Sequence, residues 1–169
     1  MPISSKYKCI FLHCPKTGGT TIENIMDMNK IENLVTWKYP NNSLALQHLT
    51  YNQLKNKINP EEFNTYFKFT FVRNPWDRLV SDYCWNNRNY ATFRDFVFFV
   101  RDLIKKYPGD EIFKCPQLKT HNCGHFIPQT LYIGPDVKIY RFENYTDGLN
   151  EIFKILNIQL PSIPATGTG

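Results

Sequence analysis

Along this chain the apolar positions alternate between the two-residue period of a strand and the 3.6-residue period of a helix. Cys9-Ile10-Phe11-Leu12 is a continuous apolar run inside a strand read from about Lys8 to His13, and Ile22, Ile25 and Met26 then recur at helical spacing over Thr20 to about Asn29. The pattern is irregular through Pro40-Asn41-Asn42. Thr50 is placed to cap a helix from about Tyr51 to Ile58 with Leu54 and Ile58 inward, because its hydroxyl can accept a first-turn N–H. Pro60-Glu61-Glu62 opens a further short turn. Tyr66 to Val72 alternates as a strand does and stops at Arg73-Asn74-Pro75. Pro75 suits the first turn of a helix, in which Trp76, Leu79, Val80 and Tyr83 form the expected inward stripe. From Thr92 to Tyr107, Phe93, Phe96, Val97, Val100, Leu103, Ile104 and Tyr107 keep one face until Pro108-Gly109 ends the helix. Phe98 and Phe99 flank that face and are expected to lie beneath a neighbouring element. Short strands are predicted near Leu131–Ile133 and Val137–Arg141, with a last helix over about Tyr145–Leu156. Strands and helices in alternation, joined by crossovers, predict an α/β fold with a central parallel sheet flanked by helices.

Ligands of such sheets bind beyond the carboxyl ends of the strands, which directs attention to two segments. Pro15-Lys16-Thr17-Gly18-Gly19-Thr20-Thr21 follows the first strand and enters a helix. Its glycines let backbone approach a ligand, its lysine supplies charge, and the first N–H groups of the helix lack intrahelical partners, so a phosphate or sulfate is the natural guest. The second segment runs from Arg73 at a strand exit, where a guanidinium can fork onto a phosphate, to Ser81, whose hydroxyl lies off the apolar stripe. Two anion sites on one sheet edge imply a ligand with two separated anionic groups.

Composition narrows the setting. With 169 residues, 42% hydrophobic and 15% aromatic, the chain suffices for one core and is read as a single domain, 1–169, with a flexible Gly- and Thr-rich tail from about residue 158. It lacks an apolar run of membrane-spanning length and its first residues do not form a signal peptide, so a cytoplasmic setting without a membrane span is expected. Five cysteines without a disulfide-framework spacing agree with a reducing compartment. The net charge of +5 suits an anionic ligand, but the cations are scattered rather than blocked, and a nucleic-acid partner is not expected.

Together, Pro15 to Thr21 and Phe71-Val72-Arg73-Asn74-Pro75-Trp76-Asp77-Arg78-Leu79-Val80-Ser81-Asp82-Tyr83 resemble the two signature motifs of the sulfotransferases that use 3′-phosphoadenosine 5′-phosphosulfate (PAPS). The likeness is to the Golgi-type carbohydrate sulfotransferases, among them heparan sulfate 2-O-sulfotransferase and the chondroitin enzymes, and to their small soluble relatives. Tyr140-Arg141-Phe142-Glu143-Asn144-Tyr145 is similar to a later segment of the family, so the resemblance covers about Lys8 to Leu156. It implies a three-layer, P-loop-like fold, with the first loop on the 5′-phosphosulfate and Arg73 and Ser81 on the 3′-phosphate. It implies transfer of a sulfuryl group to an acceptor hydroxyl, with a carbohydrate favoured as acceptor and no metal required. Lys16 then meets the charge developing on the leaving phosphate. His48 stands where the heparan sulfate enzyme's pattern has its catalytic histidine, and is the candidate base. Members of the family continue beyond the point where this sequence stops, which leaves a minimal, a truncated and a partner-completed enzyme open.

Other readings compete at single residues. Asp77 and Arg78 read as a surface pair. His13 reads as structural, Glu143 as a loop anchor, and His125 as a second candidate for acceptor contact. Cys115, His121, Cys123 and His125 fall close together but lack the Cys-x-x-Cys knuckle of a structural zinc site. A P-loop kinase would place its lysine after the last glycine, whereas Lys16 precedes both. That kinase, and a nucleotide-binding module without turnover, are the alternatives.

Overall fold

The computed structural model describes residues 2–28, 36–39, 42–86, 90–115 and 123–159. A short edge strand, β1 (Ile3–Ser4), pairs antiparallel with β2 (Cys9–Phe11), and the chain passes through a loop into α1 (Gly19–Ile25). A two-stranded antiparallel hairpin, β3 (Thr36–Tyr39) and β4 (Asn42–Ala45), occupies the stretch that the sequence pattern leaves irregular. A 3-10 turn over Leu46–His48 then delivers the chain to α2 (Tyr51–Lys57) and α3 (Pro60–Thr65). After β5 (Phe67–Val72) come the two long helices α4 (Pro75–Asn86) and α5 (Phe93–Lys106), followed by β6 (Val137–Arg141) and α6 (Tyr145–Ile155). The run near Leu131–Ile133 is not a strand: Gln129–Tyr132 forms a 3-10 turn whose Tyr132 is fully buried, so its apolar character reflects packing rather than sheet pairing.

The main sheet has the order β1-β2-β5-β6, with β2, β5 and β6 mutually parallel. Alternation along β2 divides its residues between two cores. Ile10 and Leu12 point to the side covered by α2, α3 and α5, whereas Cys9 and Phe11 point to the side covered by α1 and α6 together with Phe69, Phe71 and Tyr140. The result is three layers, helix on sheet on helix, as expected.

Local signals explain most element ends. Gln53 Oε1 accepts the Thr50 N–H at 3.0 Å at the start of α2, Asn59 Oδ1 accepts from the Glu61 N–H at 2.8 Å at α3, and Thr92 Oγ1 accepts from the Asp95 N–H at 3.2 Å at α5. Two expectations fail on exposure. Trp76 and Val80 are 74% and 46% exposed, and only Leu79 and Tyr83 of the predicted α4 stripe pack on the core. Phe98 is 39% exposed, its ring flanked by the guanidinium groups of Arg94 and Arg101 instead of being covered by an element. Ile158 packs on the α1/α6 core, and residues 160–169 of the expected tail lie outside the described residues.

Candidate active site

The carboxyl ends of β2, β5 and β6 meet at one edge of the sheet, and the loops that leave them build a cleft of about 430 Å³. Leu12 N–H still donates to Phe69 O (2.9 Å), prolonging the parallel ladder one residue past β2, and then Cys14 N–H donates to Leu12 O (2.9 Å) and turns the chain. The buried Thr17 hydroxyl donates to Cys14 O at 2.7 Å and closes the loop on itself. Lys16 and Gly18 both adopt left-handed backbone, with φ of 66° and 77°. Glycine takes that conformation without steric cost, whereas at Lys16 it stores about 1 kcal/mol or more, held by the loop around it. Part of that grip comes from Arg73, whose guanidinium donates to Lys16 O at 3.2 Å.

Arg73 is fixed in turn from three sides. The Gln129 amide accepts the Arg73 N–H through Oε1 and donates to Arg73 O through Nε2, each at 2.9 Å, pairing with its backbone as a strand would. The guanidinium lies over the Phe142 ring at 4.4 Å. One residue on, Asn74 N–H donates to Glu143 Oε1 at 2.6 Å, and Asn74 Oδ1 caps the start of α4 by accepting from Trp76 N–H at 2.9 Å. Glu143 is therefore a loop anchor, and the hydrogen bond from Asn74 N–H, with one from its own backbone, holds its carboxyl below the usual carboxylate range.

Of the residues nominated by the sequence, Pro15, Lys16, Gly18, Gly19, Thr20, His48, Arg73 and Ser81 line this single cleft. Thr17 does not line the cleft: it is fully buried beneath the loop, its hydroxyl committed to Cys14 O. Thr21 lies beside the Tyr145 hydroxyl, which itself donates to Gly18 O at 2.8 Å. Lys16 Nζ stands 4.6 Å from the centre of the exposed Trp85 ring. Partial burial lowers the Lys16 ammonium pKa, the Asp82 carboxylate opposes that shift, and the Arg73 cation adds to it. An anion arriving between the two cations relieves their repulsion.

Three histidines complete the wall. His13 stacks on Phe11, and its Nδ1 is 2.7 Å from Glu23 Oε1, both groups being buried. Burial pushes the imidazole far down and the carboxyl up. His48 Nδ1 lies 3.0 Å from the carbonyl of His13, which makes it the donor there, and Nε2 accepts from the Gln47 amide nitrogen at 3.1 Å. Burial, with the nearby His13, keeps the His48 ring neutral well below its ordinary range. His125, 43 residues beyond Asp82, places Nδ1 2.6 Å from Asp82 Oδ1.

Arg78 departs from the surface pair expected with Asp77. Its guanidinium is tucked under the loop, donating to Cys14 Sγ at 3.2 Å, to His125 O at 3.1 Å and to Ile127 O at 3.2 Å, so it ties the loop, α4 and the 125–127 segment together. Arg78, Asp82, Trp85, Gln129 and Phe142 were not nominated for the site. Asp82 and Trp85 follow Arg78 at helical spacing, and that spacing is the signal by which they were findable. His121 and the Cys123 side chain lie outside the described residues, Cys115 is buried in the core, and among the described residues no group of three His, Cys, Asp or Glu side chains is placed to hold a metal ion. No described helix is long and apolar enough to cross a membrane.

No curated protein and no solved structure matches this chain. The sulfotransferase family model, however, matches residues 1–164, a span that takes in the phosphate-type loop, the Arg73 segment, the histidine cluster and every described element. A match over nearly the whole length, on a sheet that gathers both motifs at one edge, places this enzyme in the sulfotransferase family.

Proposed function

We propose that the cleft binds PAPS as sulfuryl donor and passes the sulfuryl group to the hydroxyl of an acceptor, with a carbohydrate as the favoured class. The observation that carries this reading is that one 430 Å³ cleft is lined both by Lys16, Gly18, Gly19 and Thr20 of the first segment and by Arg73 and Ser81 of the second. A donor with a phosphosulfate and a second, separate phosphate fits that division of charge. The residues suit it further in that the Arg73 guanidinium is already oriented by the Lys16 carbonyl and the Phe142 ring, so little side-chain entropy is lost on binding.

The donor supplies an activated sulfuryl group, and the chain's task is to position it and to stabilise charge. Lys16, with the loop backbone, would hold the donor's leaving phosphate and offset the negative charge it develops. His48, a neutral ring with Nδ1 on the His13 carbonyl and Nε2 on the Gln47 amide, lines the cleft where the acceptor hydroxyl enters.

Calorimetric titration with 3′-phosphoadenosine 5′-phosphate, beside ATP with Mg²⁺, tests the donor site. The bisphosphate is expected to bind and ATP to bind far more weakly; the reverse order returns the chain to the kinase reading. Arg73→Ala is expected to weaken the bisphosphate by about 2 kcal/mol, the scale of a lost charge-assisted hydrogen bond. His48→Ala is expected to spare that affinity and lower turnover roughly a hundredfold.

A further inference from the structure

Sulfuryl transfer to a hydroxyl releases a proton, and the cleft holds more than one histidine that can meet it. We infer that His125, held by Asp82, is the group that takes the acceptor's proton, with His48 packed edge to face beside it; this rests on the sulfotransfer reading above.

The geometry separates the three rings. Among the described residues His48 has no carboxylate as a hydrogen-bond partner: Nδ1 bonds the His13 carbonyl and Nε2 the Gln47 amide, so a proton gained there is buried between two other imidazoles. His13 does have a carboxylate, Glu23, but its Nε2 is packed against Gly19, where even a methyl group would stand 2.1 Å away, so a hydroxyl has no approach. His125 combines the two properties required. Its Nδ1–H is directed to a carboxylate that is almost completely buried, Asp82 at 2.6 Å with side-chain exposure of 3%, which puts the basic lone pair on Nε2 of a ring that is 17% exposed and lines the cleft. Arg78 fixes its backbone, donating to the carbonyls of His125 and Ile127, so ring and carboxylate are held by one helix, α4. This is the carboxylate–imidazole arrangement in which the anion sets the tautomer and offsets the imidazolium that forms.

In the step itself the acceptor oxygen forms a bond to sulfur as the bond from sulfur to the donor's bridging oxygen breaks. The electron pair of that bond leaves on the phosphate beside Lys16, and the hydroxyl proton passes to His125 Nε2, from which it is lost to water after product release. The charged and titratable groups around His125 are Asp82 and Arg78 from α4, Lys16 from the loop, and His13 and His48 across the cleft.

The test follows 3′-phosphoadenosine 5′-phosphate formed from PAPS under single turnover in the full chain, with water and with added monosaccharides as acceptors, alongside calorimetric affinity for the bisphosphate. His125→Asn can keep a donor toward Asp82 but has no basic nitrogen. It is expected to slow the step about a hundredfold, with affinity unchanged within twofold, and added imidazole is expected to restore part of the rate to His125→Ala. Asp82→Asn is expected to keep affinity and slow the step, because the carboxylate that fixes the ring's tautomer and orientation is gone. Asparagine at 125 working as well as histidine overturns the assignment. So does loss of nucleotide affinity in step with rate, which marks the pair as a brace for the cleft. An unaltered chain that binds the bisphosphate yet releases none from PAPS overturns the role of the pair while sparing the donor site; one that binds no bisphosphate removes the sulfotransfer reading itself.

Discussion

At Gly19 the loop after β2 passes so close to the His13 ring that an added Cβ would stand 2.1 Å from Nε2, 2.2 Å from Cδ2 and 2.5 Å from Cε1. That ring cannot swing aside, because it is stacked on Phe11 and bonded to Glu23. Gly19→Ala is therefore expected to cost about 2 kcal/mol of stability in urea unfolding, the scale of overpacking a filled interior, and to weaken 3′-phosphoadenosine 5′-phosphate as the loop lifts. Removing the ring should relieve it: Gly19→Ala with His13→Ala is expected to lose less than the sum of the single changes, and simple additivity would refute the clash. Gly18 answers to a different constraint. Its φ of 77° suits glycine, and a Cβ there would meet Phe142 and Tyr145 at 3.1 Å, so its substitution strains backbone and packing together. Both glycines were legible as a pair from the sequence, since loop, lysine and glycines are contiguous; what each does was not, because His13 and Tyr145 reach them through the fold.

At the scale of elements, β5 shows where periodicity misleads. Its alternation reads as a strand with one wet face, yet as a central parallel strand it is covered on both, and Lys68 and Thr70 are buried. Thr70 Oγ1 donates to Leu12 O at 2.7 Å. Lys68 Nζ, on a side chain 2% exposed, donates to Tyr66 O at 3.1 Å and pairs with Asp136 at 3.0 Å, while Tyr51 donates to the other Asp136 oxygen at 2.8 Å. Partial burial would raise the Asp136 carboxyl, but the hydrogen bonds from Lys68 and Tyr51 outweigh it and hold the pKa low. Asp136→Ala should destabilise the chain by about 2 kcal/mol because the buried ammonium loses its counter-charge, whereas Lys68→Met should be close to neutral, since the cost of burying the charge goes with it. A Lys68→Met variant as unstable as Asp136→Ala would show the pair to be net stabilising. The same limit governs α4. Apolar spacing placed Trp76 and Val80 inward, but the helix turns Arg78 and Asp82 toward the loop, and polar residues buried against polar partners leave no trace in hydrophobic periodicity. The sheet and its helices were thus readable from apolar period and capping residues, and the anion loop from local composition. The Asp82–His125 pair, 43 residues apart, needed the fold.

For the molecule as a whole, gathering His13, His48 and Glu23 at one buried edge couples the site to stability. His48 stays neutral when folded, held well below its ordinary value of 6.5 first by burial, so below that pH the unfolded chain binds a proton that the folded one refuses. Stability then falls as pH drops, by about 1.4 kcal/mol per pH unit for each such proton. His13 acts in the same direction, being lowered chiefly by burial, and Glu23 in the opposite one, being raised chiefly by burial. Between the ordinary carboxyl value of 4.5 and the ordinary imidazole value of 6.5, the unfolded chain carries one proton on the His13 side of this pair and the folded chain one on the Glu23 side, so the two contributions cancel. Urea unfolding across pH is accordingly expected to show a slope of about one proton from these groups between 6.5 and 4.5, becoming about two below 4.5, where Glu23 no longer compensates. Glu23→Gln removes the compensation and should steepen the upper window to two protons, whereas His48→Asn should flatten it. An unchanged slope in Glu23→Gln would mean that the folded His13 ring keeps its proton without the carboxylate, against the burial that lowers its pKa.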